Sequence, residues 1–134
     1  MRNTLTTAEV QAIEIFYSAW KEKKPELLDQ VCTADWQDIP LAPGQADGPQ
    51  GLKDIIIHFT SLLPDIEIVI HEIFGTPERA GIRASINFTH VNEILGIPPS
   101  GKKVSVALHE FHYLKDGKLT HTWHLEDWFS LLNK

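Results

Sequence analysis

The stretch KKVSVALHEFHYLKDGKLTHTWHLED, residues 102–127, decides the fold. Apolar and polar residues alternate on both sides of Asp116-Gly117, which marks a β-hairpin. Two registers are open. A two-residue Asp-Gly turn pairs Lys115 with Lys118, whereas a three-residue Lys-Asp-Gly turn, with Gly117 left-handed and a bulge beside it, pairs Leu114 with Lys118. A slip of one residue moves every side chain to the opposite face. In the first register Glu110 and His112 join Leu119, His121, Trp123 and Asp127, and both faces are mixed. In the second, Ala107, His109, Phe111 and Tyr113 join Leu119, His121, Trp123, Leu125 and Asp127, opposite Glu110, His112, Thr120, Thr122, His124 and Glu126. The second separates apolar from polar better and is preferred. It puts Asp127 on an inner, largely apolar face, with Trp123, His109 and Tyr113 as neighbours.

Working outward, DIEIVIHEIFG (65–75) and AGIRASINFTHVNEI (80–94) are also strand-like, and turn residues join the segments. Upstream of Pro64 the period changes. Thr6 stands three residues before Glu9, a capping-box spacing, and Val10, Ile13, Phe16, Tyr17 and Trp20 follow at helical intervals. Pro25 suits the first turn of a short second helix, PELLDQVCT. DWQDIPLAPGQADGPQG reads as a loop around a short extended piece, and LKDIIIHFTSLL as a helix that Pro64 stops. Helices followed by adjacent strands predict one α+β domain over 1–134, with the helices packed on one face of a mainly antiparallel sheet.

The chain has 134 residues, enough for one sizeable core, and a net charge of −6. That balance, without a run of Lys or Arg, argues against nucleic acid or an anionic membrane as partner. The single cysteine, Cys32, allows no internal disulfide. No segment has the roughly 18 apolar residues that span a bilayer, and the first twenty residues do not read as a signal peptide. A soluble cytoplasmic protein is expected.

Asp127 is the candidate for chemistry. An acid on an inner face loses solvation, which raises its pKa and suits it to proton transfer. The competing reading is that Asp127 caps the short helix DWFSLLNK. Asp38 is a second candidate acid, or a local cap in a turn-rich segment. His109-x-x-His112 and His121-x-x-His124 invite a metal, but residues three apart on a strand face opposite ways, so no metal site is expected. Cys32 lacks an evident base, and PGQADGPQG lacks the Lys-Ser/Thr of a phosphate loop.

APGQADGPQGLKDI, LLPDIEI, LGIPPSGKKV, HEFHYLKDGKLTHTW and the closing W-x-x-x-D with its Leu-Leu, in this order, resemble the SnoaL-like polyketide cyclases, or ester cyclases, of the nuclear transport factor 2-like superfamily. The resemblance implies a cone-shaped α+β barrel with a pocket at its open end, and a homodimer formed through the outer sheet face. It implies cofactor-free ring closure by intramolecular aldol chemistry on a small hydrophobic carbonyl compound, with the W-x-x-x-D aspartate, here Asp127, as general acid/base. The family's assisting histidine falls on Tyr113, with His109 on the same derived face. The helix-one aromatic that lines the family's pocket corresponds to Tyr17. A family Asp-His pair reads Asp38-Ile39 here. Phe16, Trp20, Phe111, His121 and Trp123 complete the expected substrate-binding set. The alternative is a non-catalytic module that binds a small hydrophobic ligand, or an accessory dimerisation domain. The enzyme reading predicts a connected cavity to which Asp127 is exposed, and the accessory reading a filled cone.

Overall fold

The computed structural model describes residues 4–133. Helix α1 spans Thr7–Glu22 and opens with the capping box: the Glu9 N–H donates to Thr6 Oγ1 at 3.1 Å, and the Thr6 N–H donates to Glu9 Oε1 at 2.8 Å. Glu9 is buried, and its second oxygen accepts the Glu78 N–H at 2.7 Å, so one carboxylate fastens the helix start to a distant turn. The second helix is shorter than the sequence suggests: a 3₁₀ turn, Pro25–Leu27, runs into α2, Leu28–Val31. Strand β1, Cys32–Ile39, follows at once; it takes in the expected end of the second helix and the short extended piece expected within the loop. Its burial falls on Cys32, Trp36 and Asp38, and such a sparse, acid-bearing pattern carries little strand signal. Helix α3 is Gly48–Leu62.

Strands β2 (Glu67–Thr76), β3 (Arg79–Thr89), β4 (Lys103–Lys115) and β5 (Lys118–Glu126) complete a sheet of order β1-β5-β4-β3-β2. Three pairings are antiparallel, and β1 runs parallel to β5. The fold is α+β with a mixed sheet; it does not close into a barrel, since β1 and β2 form its edges. The apolar stripe of α1, including Ile13, Phe16 and Tyr17, and the Leu52–Ile56 side of α3 pack with the inner sheet face into one core.

The β4–β5 hairpin combines features of both registers. Its turn is the two-residue one, with Asp116 at φ 51° and Gly117 at φ 79°, and it pairs Lys115 with Lys118 and Leu114 with Leu119. A bulge at Thr120 then sets Tyr113 opposite His121. Beyond it Phe111 faces Trp123 and His109 faces Leu125, the grouping of the three-residue register.

The orientation is the reverse of the expectation. Val104, Val106, Leu108, Glu110, His112 and Leu114 point inward, while His109, Phe111, Tyr113, His121 and Trp123 lie on the outer face. The physical reason is the whole length of β4. Its even-numbered positions carry four branched aliphatics, each stabilising by about 1.5–3 kcal/mol when buried, and Glu110 and His112 share their parity. Leu108→Ala is therefore expected to cost about 2–5 kcal/mol. Ile57→Ala, on α3 at a site 54% exposed, is expected to cost less than about 1 kcal/mol. Urea denaturation of the two variants measures the contrast.

Candidate active site

The inward turn of β4 and β5 brings polar groups against an otherwise apolar hollow. This cavity holds about 160 Å³ and lies between α1, α3 and the inner sheet face. Phe16, Trp20, Phe59, Ile68, Leu108 and Trp128 contribute apolar wall. Its size is close to the ~150 Å³ hole that accepts one benzene, so it suits a single-ring guest. The polar lining comes from Tyr17 on α1, Asp38 at the end of β1, Gln45, Glu110 on β4, and Thr122, His124 and Glu126 on β5.

Two connected groups of polar side chains result. In the first, the Tyr17 hydroxyl donates to Glu110 Oε1 at 2.6 Å and lies 2.7 Å from His112 Nε2. His112 Nδ1 is 2.8 Å from Thr122 Oγ1, which accepts the Trp36 indole N–H at 3.0 Å. All five side chains are buried. Burial pushes Glu110 up to about 8; the Tyr17 hydrogen bond opposes this, the charge on Glu126 adds to it, and His124 and Asp38 act in opposite senses. Burial drives His112 down to about 3, so it is neutral, and its 3.9 Å approach to Glu110 is not an ion pair. Burial, then the neighbouring Glu110, raises Tyr17 well above the ordinary phenol range.

In the second group His124 Nδ1–H donates to Glu126 at 2.8 Å and Nε2–H to the Pro40 carbonyl at 2.7 Å, with Asp38 Oδ1 at 3.5 Å from Nε2. The Glu126 hydrogen bond raises His124 to about 9 against the cost of burial, with help from the charges of Glu126 and Asp38. His124 is thus an imidazolium near neutrality. Asp38 is also raised, because burial outweighs the Gln45 hydrogen bond (2.8 Å) and the His124 charge, which both favour its ionised form. One cation among three carboxyl groups leaves the hollow short of positive charge, which favours a neutral Glu110.

Of the residues singled out from sequence, Phe16, Tyr17, Trp20 and Asp38 line this cavity. His109, Tyr113, Phe111, His121 and Trp123 are on the other side of the sheet, where Arg79 stacks over the Tyr113 ring and His121 stacks on Trp123. Asp127 is exposed rather than facing inward. Its own N–H donates to the Ala107 carbonyl at 2.9 Å, and its Oδ1 accepts the Ser130 N–H at 3.3 Å, which caps the closing 3₁₀ helix Trp128–Asn133. Glu110, His112, Thr122, His124 and Glu126 were assigned to the outer face. The signal that could have found them is their parity with Val104, Val106 and Leu108. Among the described residues no cluster of three or more His, Cys, Asp or Glu side chains is arranged to hold a metal ion, and no helix is long and apolar enough to cross a membrane.

An open α+β sheet over helices, with a hollow between them, is the nuclear transport factor 2-like fold, and solved structures share it along nearly the whole chain. TsrD from Streptomyces laurentii matches with a TM-score of 0.85 at 26% identity, covering 96% of this chain and 95% of its own. A proposed polyketide cyclase from Bacillus cereus matches at 0.81 and 27%, covering 99% and 90%. IdmH from Streptomyces antibioticus, also a proposed polyketide cyclase, matches at 0.82 and 20%, covering 93% and 96%. A search of the curated proteins finds no match. The family model for SnoaL-like polyketide cyclases matches residues 10–134, and the chain belongs to that family of cyclase-like enzymes.

The shifted groups give the fold a pH dependence. Glu110 has a folded pKa above its ordinary 4.5, so its contribution is fully present below about 4.5 and is lost as pH rises through about 8. His112 is depressed, so its contribution is present above 6.5 and is lost as pH falls toward 3. Glu110→Gln is expected to flatten the loss of stability between about pH 5 and 9 by a few kcal/mol, as measured by urea denaturation across that range.

Proposed function

We propose that the protein is a cofactor-free cyclase or isomerase acting on a small, neutral, hydrophobic carbonyl compound, with Glu110 as general acid and Asp38 as general base. The observation that carries this reading is Glu110 in the cavity wall. Tyr17 engages its Oε1, while Oε2 takes no hydrogen bond from the described residues. A carboxyl group protonated near neutrality can donate to a substrate oxygen as negative charge develops there, an interaction worth about 3–4 kcal/mol in favourable sites. Asp38, held toward its carboxylate form by Gln45 and His124, removes the proton next to the carbonyl.

Where the substrate carries an adjacent C=C, the resulting dienolate takes that proton back at the far carbon, which shifts the double bond. Where it carries a second carbonyl, the enolate attacks that carbon and closes a ring. In the second case the new alkoxide takes the Glu110 proton. Transfer of the proton from Asp38 to Glu110 then restores the starting state. In this reading the role that the resemblance gave Asp127 passes to these two acids, because the Asp127 carboxylate stands outside the hollow. The hollow itself favours an enzyme over an accessory domain with a filled cone.

A panel of one-ring ketones, phenylacetone among them, followed by NMR for α-proton exchange in D₂O tests the chemistry. Exchange is expected to accelerate with the unaltered protein and to fall by about 10²-fold or more in Glu110→Gln and Asp38→Asn. Asp127→Asn is expected to stay within a few-fold of the unaltered rate. Loss of exchange in Asp127→Asn alone would return the role to that residue.

The outer sheet face supports a homodimer, which we also propose. Phe74, Phe111, Tyr113 and Leu125 leave a large apolar surface there, with Leu125 75% exposed. Phe111→Glu is expected to convert a dimer to a monomer in light scattering without loss of secondary structure.

A further inference from the structure

We propose that Thr122 and His112 are positioning residues for this site. A one-way chain of hydrogen bonds from Trp36 through Thr122, His112 and Tyr17 commits the single phenolic proton to Glu110 Oε1, and so leaves Oε2 as the proton-carrying atom that meets the substrate. This rests on the proposed role of Glu110, and it assigns a task to two side chains that are 1% and 0% exposed.

The direction follows from the one partner that can only donate. The Trp36 indole has an N–H and no acceptor, so it occupies a lone pair of Thr122 Oγ1. The only other partner of that hydroxyl among the described residues is His112 Nδ1, at 2.8 Å. If Nδ1 is bare, the Thr122 proton is satisfied there. The neutral ring then carries its hydrogen on Nε2 and donates it to the Tyr17 oxygen at 2.7 Å. Tyr17 has one proton left to give, and Glu110 Oε1 is 2.6 Å away.

The opposite direction puts the hydrogen on Nδ1 and leaves the Thr122 hydroxyl hydrogen buried without an acceptor, a cost of about 1–3 kcal/mol. The groups facing Glu110 are Tyr17 from α1, Asp38 from β1, His112 from β4, and His124 and Glu126 from β5. Only the Tyr17–His112 arm lies in the chain. His112, though ionisable, thus serves as a fixed neutral link.

The tautomer of His112 is read from a long-range ¹H–¹⁵N spectrum of the full-length protein, with the signal assigned by its loss in His112→Gln. The Nε2–H form is expected at neutral and at mildly acid pH. Thr122→Val is expected to mix the two tautomers and to raise the Glu110 titration midpoint, followed by carboxyl ¹³C NMR, by about one pH unit, because Tyr17 then stabilises the ionised carboxylate less. Thr122→Ser, which keeps the hydroxyl, is expected to preserve both readings.

An Nδ1–H tautomer or an imidazolium in the unaltered protein overturns the proposal, as does a Glu110 midpoint that is the same in the Val and Ser variants. If Thr122→Val does not fold, the tautomer in the unaltered protein decides alone. None of these readings needs turnover. Full ketone exchange in Glu110→Gln would defeat the catalytic reading while leaving the hydrogen-bond chain as measured.

Discussion

The desolvation of one carboxyl group organises the interior of this protein. Glu110 is carried inward because it shares strand parity with Val104, Val106, Leu108 and Leu114, whose burial outweighs its own preference for water. Once inside, it requires a donor, and Tyr17 from the opposite layer supplies one. Tyr17 in turn needs a partner for its oxygen, which His112 provides, and the requirement passes through Thr122 to Trp36 on the edge strand. The chain of contacts that accommodates this carboxyl group therefore also joins α1, β4, β5 and β1.

The second group answers a different need. His124 holds a positive charge between Glu126 and Asp38, while burial keeps Glu110 neutral in the same lining. Burial raises both Glu110 and Asp38, and the Gln45 hydrogen bond and the His124 charge oppose that rise at Asp38. The apolar walls strengthen these effects, because they exclude the water that would otherwise level them.

Much of the architecture was legible in the sequence. The Thr6–Glu9 spacing gave the first helix, Pro64 marked the end of the third, and the alternating segments gave four strands in the right order. The family-level resemblance was legible as well, in the ordered blocks from APGQADGPQGLKDI to the closing aspartate. Strand β1 was legible only as a short extended piece in a loop, because it follows a short helix without a break and its few buried side chains are interrupted by acids. The site was legible only in part. Four cavity residues on α1 and β1 could be named. The inner face of the last hairpin is not evident from residues 107–113 alone, where the aromatic-rich face resembles core; Val104 and Val106 set the parity that turns Glu110 and His112 inward. Phe111 and Tyr113 instead lie outside, and Asp127 ends a strand in solvent. Local polarity misleads wherever a functional site places charged groups against the core.

The bulge at Thr120 decides which side of β5 lines the hollow. On its turn side Leu119 faces the core; beyond it Thr122, His124 and Glu126 do. A regular ladder of the same length from the same turn would set His121 opposite His112 and bring His121, Trp123 and Leu125 round to the hollow, exchanging an acidic lining for a largely greasy one. Deleting Thr120 would keep the present lining, because His121 would still follow Leu119 outward, opposite Tyr113. One unpaired residue is therefore what lets a tight two-residue turn and a polar inner face coexist in the same hairpin.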